Sequence, residues 1–218
     1  MLLSRLMSAR FALAVVAMMI VVTASNILVQ FPVEANLGPI NLADLLTWGA
    51  FTYPLAFLVS DLTNRREGPT VARLVVLVGF VLALAISFYL ATPRIAIASG
   101  SAFLIGQLLD ISVFQRLRNW IWYVPPFVAS LVGSALDTMI FFTLAFAPIF
   151  AGIDLLFGYA DGSLGFGAPW LGVGGEVPLW TSLASGDFSV KLLSALVLLV
   201  PYRLFMGSLA KRRAAASA

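Results

Sequence analysis

Residues Ala102 to Phe114 read AFLIGQLLDISVF, and residues Ala129 to Phe141 read ASLVGSALDTMIF. The two segments of thirteen residues have six identical positions, including the aspartates Asp110 and Asp137. Both segments are otherwise strongly apolar, so each places a carboxylate in a hydrophobic helix. An ionised aspartate at the centre of a bilayer costs at least ~2.5–3.5 kcal/mol, and such residues face a bundle interior or a water-filled cavity. The pair therefore predicts a membrane protein with an internal polar site.

The composition of the whole chain agrees with a lipid environment. Of its 218 residues, 61% are apolar and 11% are charged, whereas a soluble domain carries about 25% charged residues. The chain has no cysteine and no histidine, which excludes disulfides and removes the commonest general base and metal ligand. We therefore expect no cofactor. The net charge of +3 comes from short basic clusters between apolar runs, which indicates membrane orientation and no nucleic-acid partner.

The chain is predicted to be an all-α, polytopic membrane protein with a single transmembrane domain of six helices. A span needs ~20 mostly apolar residues, and six runs qualify: about 11–30, 42–60, 71–91, 95–114, 124–149 and 188–208. The first run is too long for a signal peptide and lacks a convincing cleavage site. Pro54 is expected to kink the second helix. Residues 151–187 form an external loop rich in glycine and aromatic residues, either a flexible connection or a lid over a site.

The basic residues predict the direction of each helix, because lysine and arginine resist translocation. In a six-helix topology one side of the membrane receives Arg5, Arg10, Arg65, Arg66, Arg73, Arg116, Arg118, Lys211, Arg212 and Arg213. The other side has Arg94 as its one loop cation, with Glu34, Asp154, Asp161 and Glu176. Both termini are therefore expected in the cytoplasm, and the bilayer itself is a partner.

The two similar segments would cross the bilayer in opposite directions, as the fourth and fifth helices. An inverted-topology repeat has this arrangement, with the substrate site at the repeat interface. Ala102 with Gly106, and Ala129 with Gly133, form small-xxx-small pairs that let helix backbones approach closely. These small residues could pack within one bundle or between two chains, so a homodimer is possible.

Polar and aromatic side chains within the predicted helices define a candidate binding site. The candidates are Asp110, Asp137, Gln107, Asn26, Tyr53, Phe103, Trp48 and Asp61. Gln107 and Asp110 stand at i and i+3 and share a helix face. An alternative is structural: Asp110 could pair with Arg116 or Arg118, and Asp137 with Arg203. Lys191 and Arg203 are expected to extend to opposite membrane interfaces, although either could neutralise a carboxylate.

Three stretches resemble the queuosine precursor transporter family, which belongs to the vitamin uptake transporter group. They are TYPLAFLVSDLTNRREG (Thr52 to Gly68), SGSAFLIGQLLDISVFQRLR (Ser99 to Arg118) and GSALDTMIFFTLAF (Gly133 to Phe146). Arg65 and Glu67 depart from the family pattern. The resemblance implies a bacterial inner-membrane protein that imports 7-cyano-7-deazaguanine, or its aminomethyl relative, for queuosine salvage. A carboxylate can accept a bidentate pair from the N1–H and exocyclic amine of this ligand, and charge-assisted bonds are the stronger kind.

Two other functions fit parts of the sequence. The chain could be the substrate-binding subunit of an energy-coupling-factor importer, which would need an ATPase partner. It could also be an intramembrane aspartyl protease, since paired carboxylates are the required chemistry. However, the aspartates read LLD and ALD rather than the YD and GxGD contexts of that protease family. We therefore expect a transporter and no enzymatic activity.

Overall fold

The computed structural model describes residues 8–38 and 40–217 and is mostly helical. The helices are α1 (Ala9–Leu28), α2 (Gly49–Thr52), α3 (Pro54–Glu67), α4 (Pro69–Leu90), α5 (Pro93–Leu117), α6 (Val124–Phe146), α7 (Ala151–Leu156) and α8 (Leu179–Ser217). Five of the described helices are long and apolar enough to cross a membrane: α1, α4, α5, α6 and the Leu179–Ser208 part of α8. This supports a multi-pass membrane protein. Arg5 of the N-terminal basic cluster lies outside the described residues.

The second predicted helix is divided at its proline. The run expected at 42–60 becomes a short 3-10 turn (Leu42–Asp44), then α2 and α3, with α3 beginning at Pro54. Proline has no amide hydrogen to continue the helix, which explains the break after α2. Neither piece alone meets the length of a membrane span, so the six-span count stays a prediction.

The predicted external loop has more structure than expected. It contains the short helix α7 and a hairpin of β3 (Gly167–Pro169) with β4 (Glu176–Pro178). Outside this loop, after α1, a smaller hairpin pairs β1 (Asn36–Leu37) with β2 (Ile40–Asn41). The last helix, α8, begins at Leu179 rather than near 188. This earlier start places Lys191 about three turns into α8 rather than in its first turn.

Helices α5 and α6 pack against each other more extensively than any other pair of described elements. A Cβ placed on Gly106 would lie 3.0 Å from the Asp137 Cβ and 3.1 Å from the Gly133 carbonyl oxygen. A Cβ on Gly133 would lie 3.1 Å from the Asp110 Cβ and 3.0 Å from the Gly106 carbonyl oxygen. These contacts are reciprocal: each glycine touches the aspartate of the other segment. The glycines therefore serve a crossing inside one chain.

The end of the bundle at which α3 and α5 finish is held together by polar contacts. The Gln115 amide donates to Asn64 Oδ1 at 2.5 Å, and Asn64 Nδ2 donates to the Ile111 carbonyl at 3.3 Å. Arg65 donates to the Arg118 carbonyl at 2.6 Å, and Arg118 donates to the Arg65 carbonyl at 3.4 Å. We call this the basic end. The carbonyls at the C-termini of helices favour such cations.

Candidate functional site

A cavity of about 390 Å³ lies at the opposite end of the bundle. There α1, α4 and α6 finish and α5 and α8 begin, and the segment 43–47 contributes to the wall. The volume falls within the ~300–1,000 Å³ usual for small-molecule sites. Four predicted site residues line this cavity: Asn26, Tyr53, Phe103 and Asp137.

A charged cluster occupies one wall of the cavity. Lys191 Nζ donates to Asp137 Oδ2 at 2.6 Å and forms a second ion pair with Asp187 Oδ2 at 2.5 Å. Thr138 bonds both Asp187 and Lys191, since its hydroxyl donates to Asp187 Oδ2 at 2.7 Å and accepts from Lys191 Nζ at 3.1 Å. With two carboxylates and one ammonium, the wall carries one net negative charge. It can therefore accept hydrogen bonds from a neutral or cationic ligand.

Aromatic rings form much of the remaining surface. Phe103, Phe141, Phe142 and Phe146 line the cavity together with Tyr53, and Phe141 stacks edge-on against both Phe142 and Phe146. These rings offer faces and edges to a flat ligand, and aromatic pairs of that kind contribute ~0.5–1.5 kcal/mol beyond their buried area.

Asn26 supplies a polar group on the wall formed by α1. Its side-chain oxygen accepts from Ser87 at 2.8 Å, and its amide nitrogen donates to the Val22 carbonyl at 2.9 Å. These bonds fix the orientation of the amide. One amide hydrogen and one oxygen lone pair remain for a ligand, because a side-chain amide has two donors and two acceptor sites.

The other two aspartates of the predicted site, Asp61 and Asp110, form a second buried group outside the cavity wall. Asp110 and Asp61 are 0% and 2% exposed, and their carboxyl groups are neighbours. Gln107, one turn before Asp110, is equally buried and its amide has no hydrogen-bond partner among the described residues. The structure thus separates Asp110, Gln107 and Asp61 from Asp137. The alternative ion pairs are not found among the described residues: Asp110 pairs with neither Arg116 nor Arg118. Asp137 pairs with Lys191 instead of Arg203.

Trp48 lies away from both groups. It is half exposed and packs against Phe51, with ring centroids 5.8 Å apart. Its neighbour Thr47 lines the cavity, so Trp48 stands near the outer rim rather than inside.

Sequence reasoning did not include Lys191, Asp187 or Thr138 in the site. Lys191 does not extend to the membrane interface but takes the alternative given for it, the neutralisation of a carboxylate, since its side chain is buried between two acids. The expectation of an interface position follows from the late start predicted for the last helix, which placed Lys191 within its first turn. The spacing of Asp187 and Lys191, at i and i+4, is a signal that could have found the pair, because such residues face each other on a helix. Arg203 is exposed as expected and lies over Trp122, with its guanidinium carbon 5.2 Å from the ring centroid.

A separate ion pair anchors the segment that connects α6 to α8. Arg94 is buried and bonds Asp154 Oδ2 at 2.8 Å, with further bonds to the carbonyls of Leu144 and Ala147. Hydrogen bonds from Ser163 lower the pKa of the exposed Asp161 carboxyl, and Arg94 lies 3.6 Å from that group. Arg94 therefore fastens residues 144–163 over the start of α5.

Comparisons with known proteins identify transporters as relatives of this chain. A family model described as "Putative vitamin uptake transporter" matches residues 47–92 and 86–205. The chain is 36% identical over 149 residues to the "Queuosine precursor transporter" of Escherichia coli (strain K12), covering 59% of this chain and 65% of that protein. It is 37% identical over 153 residues to the "Probable queuosine precursor transporter" of Haemophilus influenzae (strain ATCC 51907 / DSM 11121 / KW20 / Rd), covering 58% and 65%. The chain thus matches about 65% of the length of these curated relatives. No solved structure matches it.

Proposed function

The chain belongs to the vitamin uptake transporter family, and we propose that it imports a queuosine precursor across the bacterial inner membrane. The substrate would be 7-cyano-7-deazaguanine, 7-aminomethyl-7-deazaguanine or both. The names of the two relatives support this class of ligand. The observation that carries the proposal is the charged wall of Asp137, Lys191 and Asp187 in a cavity lined with aromatic rings.

The charged wall suits the guanine edge of the ligand. A deazaguanine presents N1–H and an exocyclic amine side by side, and a carboxylate accepts both at once. Asp137 is the acceptor in this proposal, while Asp187 keeps Lys191 neutralised when Asp137 turns to the substrate. An ammonium on an aminomethyl group would also be attracted by the net negative charge of the wall. A site that pairs several polar edges discriminates strongly against purines that lack them.

The remaining walls suit the ring and its carbonyl. Phe103 and Tyr53 offer faces on which the flat heterocycle can stack. Asn26 can donate its free amide hydrogen to the ligand carbonyl. At ~1.5 Å per residue, Gln107 and Asp110 lie about 6 and 10 Å along α5 from Phe103, and Asp61 lies about 12 Å along α3 from Tyr53. We propose that they act on transport without lining the site, and that Trp48 meets the ligand at the rim.

The proposed topology has six crossings with both termini in the cytoplasm. Helices α2 and α3 with Tyr53 between them would extend about 28 Å at ~1.5 Å per residue, close to the ~30 Å hydrocarbon core. Arg65, Arg66, Arg116 and Arg118 gather at the basic end, which the positive-inside rule assigns to the cytoplasm. The cavity then faces the outside. The reciprocal contacts of Gly106 with Asp137 and of Gly133 with Asp110 support an inverted repeat of the two segments.

Uptake in living cells tests the proposal. The host is a bacterium that cannot make queuosine precursors and lacks its own transporter. It is fed low concentrations of 7-cyano-7-deazaguanine, and queuosine in tRNA is measured. We expect the wild-type chain to restore queuosine and Asp137→Asn to fail. Asp161→Asn is the matched control, since it makes the same chemical change on an exposed loop, and should behave as wild type.

The same assay separates the two transport hypotheses. Restoration by this chain alone favours an autonomous transporter over the substrate-binding subunit of an energy-coupling-factor importer. No restoration, with the protein confirmed in the membrane, would contradict autonomous import. Full restoration by Asp137→Asn would contradict the role given to that carboxylate.

A further inference from the structure

The carboxyl groups of Asp61 and Asp110 meet in the interior between α3 and α5. The two carboxyl groups lie within hydrogen-bonding reach of each other, and no other donor among the described residues reaches either oxygen of Asp110 or one oxygen of Asp61. No ion pair to either acid occurs in residues 8–38 and 40–217. Two buried carboxylates in contact, with no base to pair them, cannot both be charged without a large cost. A proton bound to the pair removes one of the two charges.

A second, independent feature points to an exchangeable ligand at this place. Tyr202 is 1% exposed, its hydroxyl has no hydrogen-bond partner in the described structure, and its side chain interacts with that of Asp61. Tyr202 and Asp61 line one narrow crevice together with the hydroxyl residues Ser130 and Ser134. A buried hydroxyl without a partner, beside a carboxyl group that has one oxygen without a partner, points to an exchangeable ligand between them.

The crevice also reaches the charged wall of the cavity. Lys191 lines both the crevice and the cavity, so one side chain borders the two sites. A ligand that bonds Asp137 changes the partners of Lys191 and hence the electric field at Asp61. Occupancy of the cavity and protonation of the carboxyl pair are thereby linked, and such linkage is reciprocal.

We propose that Asp61 and Asp110 together bind one transported proton, and that this proton drives accumulation of the substrate bound in the cavity. The inference rests on the proposed import function and adds its energy source. The proton enters from the cavity end along Ser134 and Ser130, binds a carboxylate oxygen of the pair, and leaves as a free proton at the basic end. No other chemical bond forms or breaks.

A proton fits this place better than a metal ion. The crevice holds about 20 Å³, close to the ~10–15 Å³ minimum for a single water molecule. Hard cations need about six oxygen ligands. Within the described ranges, no group of three or more His, Cys, Asp or Glu side chains could hold a metal ion.

The titratable groups around the pair are few. Tyr202 and Lys191 of α8 border the crevice with Asp61, and the residues that α6 contributes to its lining, Pro126, Ser130 and Ser134, carry no titratable group. Arg65 and Arg118 interact with Tyr202 from the basic end. The pair therefore stands between Lys191 on the cavity side and two arginines on the other side.

Purified protein in lipid vesicles tests the inference. Exchange of labelled for unlabelled 7-cyano-7-deazaguanine is measured at equal pH, and net uptake is measured with an acidic exterior. We expect Asp61→Asn and Asp110→Asn to keep exchange within about twofold and to lose gradient-driven uptake by about tenfold or more, since a pair that cannot release its proton transmits none of the gradient. Asp161→Asn should retain both activities.

Each alternative outcome has a definite meaning. Gradient-driven uptake that persists in both variants would overturn the inference, and so would uptake driven by a sodium gradient at equal pH. Absence of any exchange by the wild type would instead show that the proposed substrate is wrong. Infrared spectra provide a readout without substrate: the C=O stretch of a protonated carboxyl should appear in wild type at neutral pH. It should disappear in the double variant Asp61→Asn, Asp110→Asn and remain in Asp161→Asn, and a wild-type spectrum without it would contradict the shared proton.

Discussion

Asp110 and Asp137 occupy equivalent positions in two similar segments, yet their surroundings differ. Asp137 forms an ion pair with Lys191 and lines the cavity. Asp110 meets another acid, Asp61, and has no base beside it in the described structure. The difference comes from the third helix at each end, since α8 brings a lysine to one aspartate and α3 brings a carboxyl group to the other. The similar segments thus place a carboxyl group at the same position, and the helix packed against each one, α8 or α3, determines whether that group meets a base or an acid.

The largest effect is expected from removing the base on the Asp137 side. Lys191→Met leaves two partly buried carboxylates without a base, and breaking a buried ion pair costs about 3–5 kcal/mol. We expect a large fall in thermal stability in detergent, measured by tryptophan fluorescence. Arg203→Met is the matched control on the same helix, because that exposed side chain contributes only a contact with Trp122 worth ~0.5–1 kcal/mol.

The triple variant Asp137→Asn, Lys191→Met, Asp187→Asn separates charge balance from function. It should recover most of the lost stability, because it contains no unpaired charge on this wall, but it should not restore uptake. If Lys191→Met were as stable as Arg203→Met, the buried ion pair would not exist in the folded protein.

The second effect compares the two aspartates directly through substrate affinity. A hydrogen bond to a charged group contributes about 1.5–3 kcal/mol, so Asp137→Asn should weaken binding of 7-cyano-7-deazaguanine by roughly 10- to 150-fold. Asp110→Asn should change the dissociation constant by less than about threefold, because Asp110 lies outside the cavity wall and makes no contact with the substrate in this proposal. Titration calorimetry on the detergent-purified proteins measures both. Equal losses in the two variants would place both aspartates at the substrate.

The sequence predicts much of the fold because hydropathy and proline positions are local signals. Five predicted spans correspond to long helices of the structure, and the break at Pro54 follows from the missing amide. The start of α8 at Leu179 was missed because Thr181, Ser182, Ser185 and Gly186 read as loop residues. The hydroxyls of Thr181, Ser182 and Ser185 all have partners in the folded segment, for example the bond from Ser185 to the Thr181 carbonyl at 2.8 Å.

The candidate site is only partly contained in the sequence. The aspartates stand out because a carboxylate in an apolar helix is costly. Their partners do not, since Lys191 and Asp61 reach them from other helices, 54 and 49 positions away along the chain. Periodicity within one helix gives no information about which side chain of another helix lies opposite.

The smallest effect concerns the crossing that holds the two aspartates apart. Added methyl groups at Gly106 and Gly133 would meet backbone carbonyl oxygens at 3.1 and 3.0 Å, and a carbonyl in a helix cannot move away freely. Overpacking of this kind costs about 1–3 kcal/mol. We therefore expect Gly106→Ala and Gly133→Ala each to lower thermal stability, with the larger loss at Gly133, whose methyl would also lie 2.9 Å from the Phe57 ring. Gly152→Ala is the matched control, because nothing lies within 4 Å of its added Cβ.

A crossing that is symmetric in energy as well as in contacts would lose similar stability at both glycines once Phe57→Leu relieves the extra contact. A loss confined to one glycine in that background would show that the reciprocal contacts do not contribute equally, and would weaken the case for an inverted repeat.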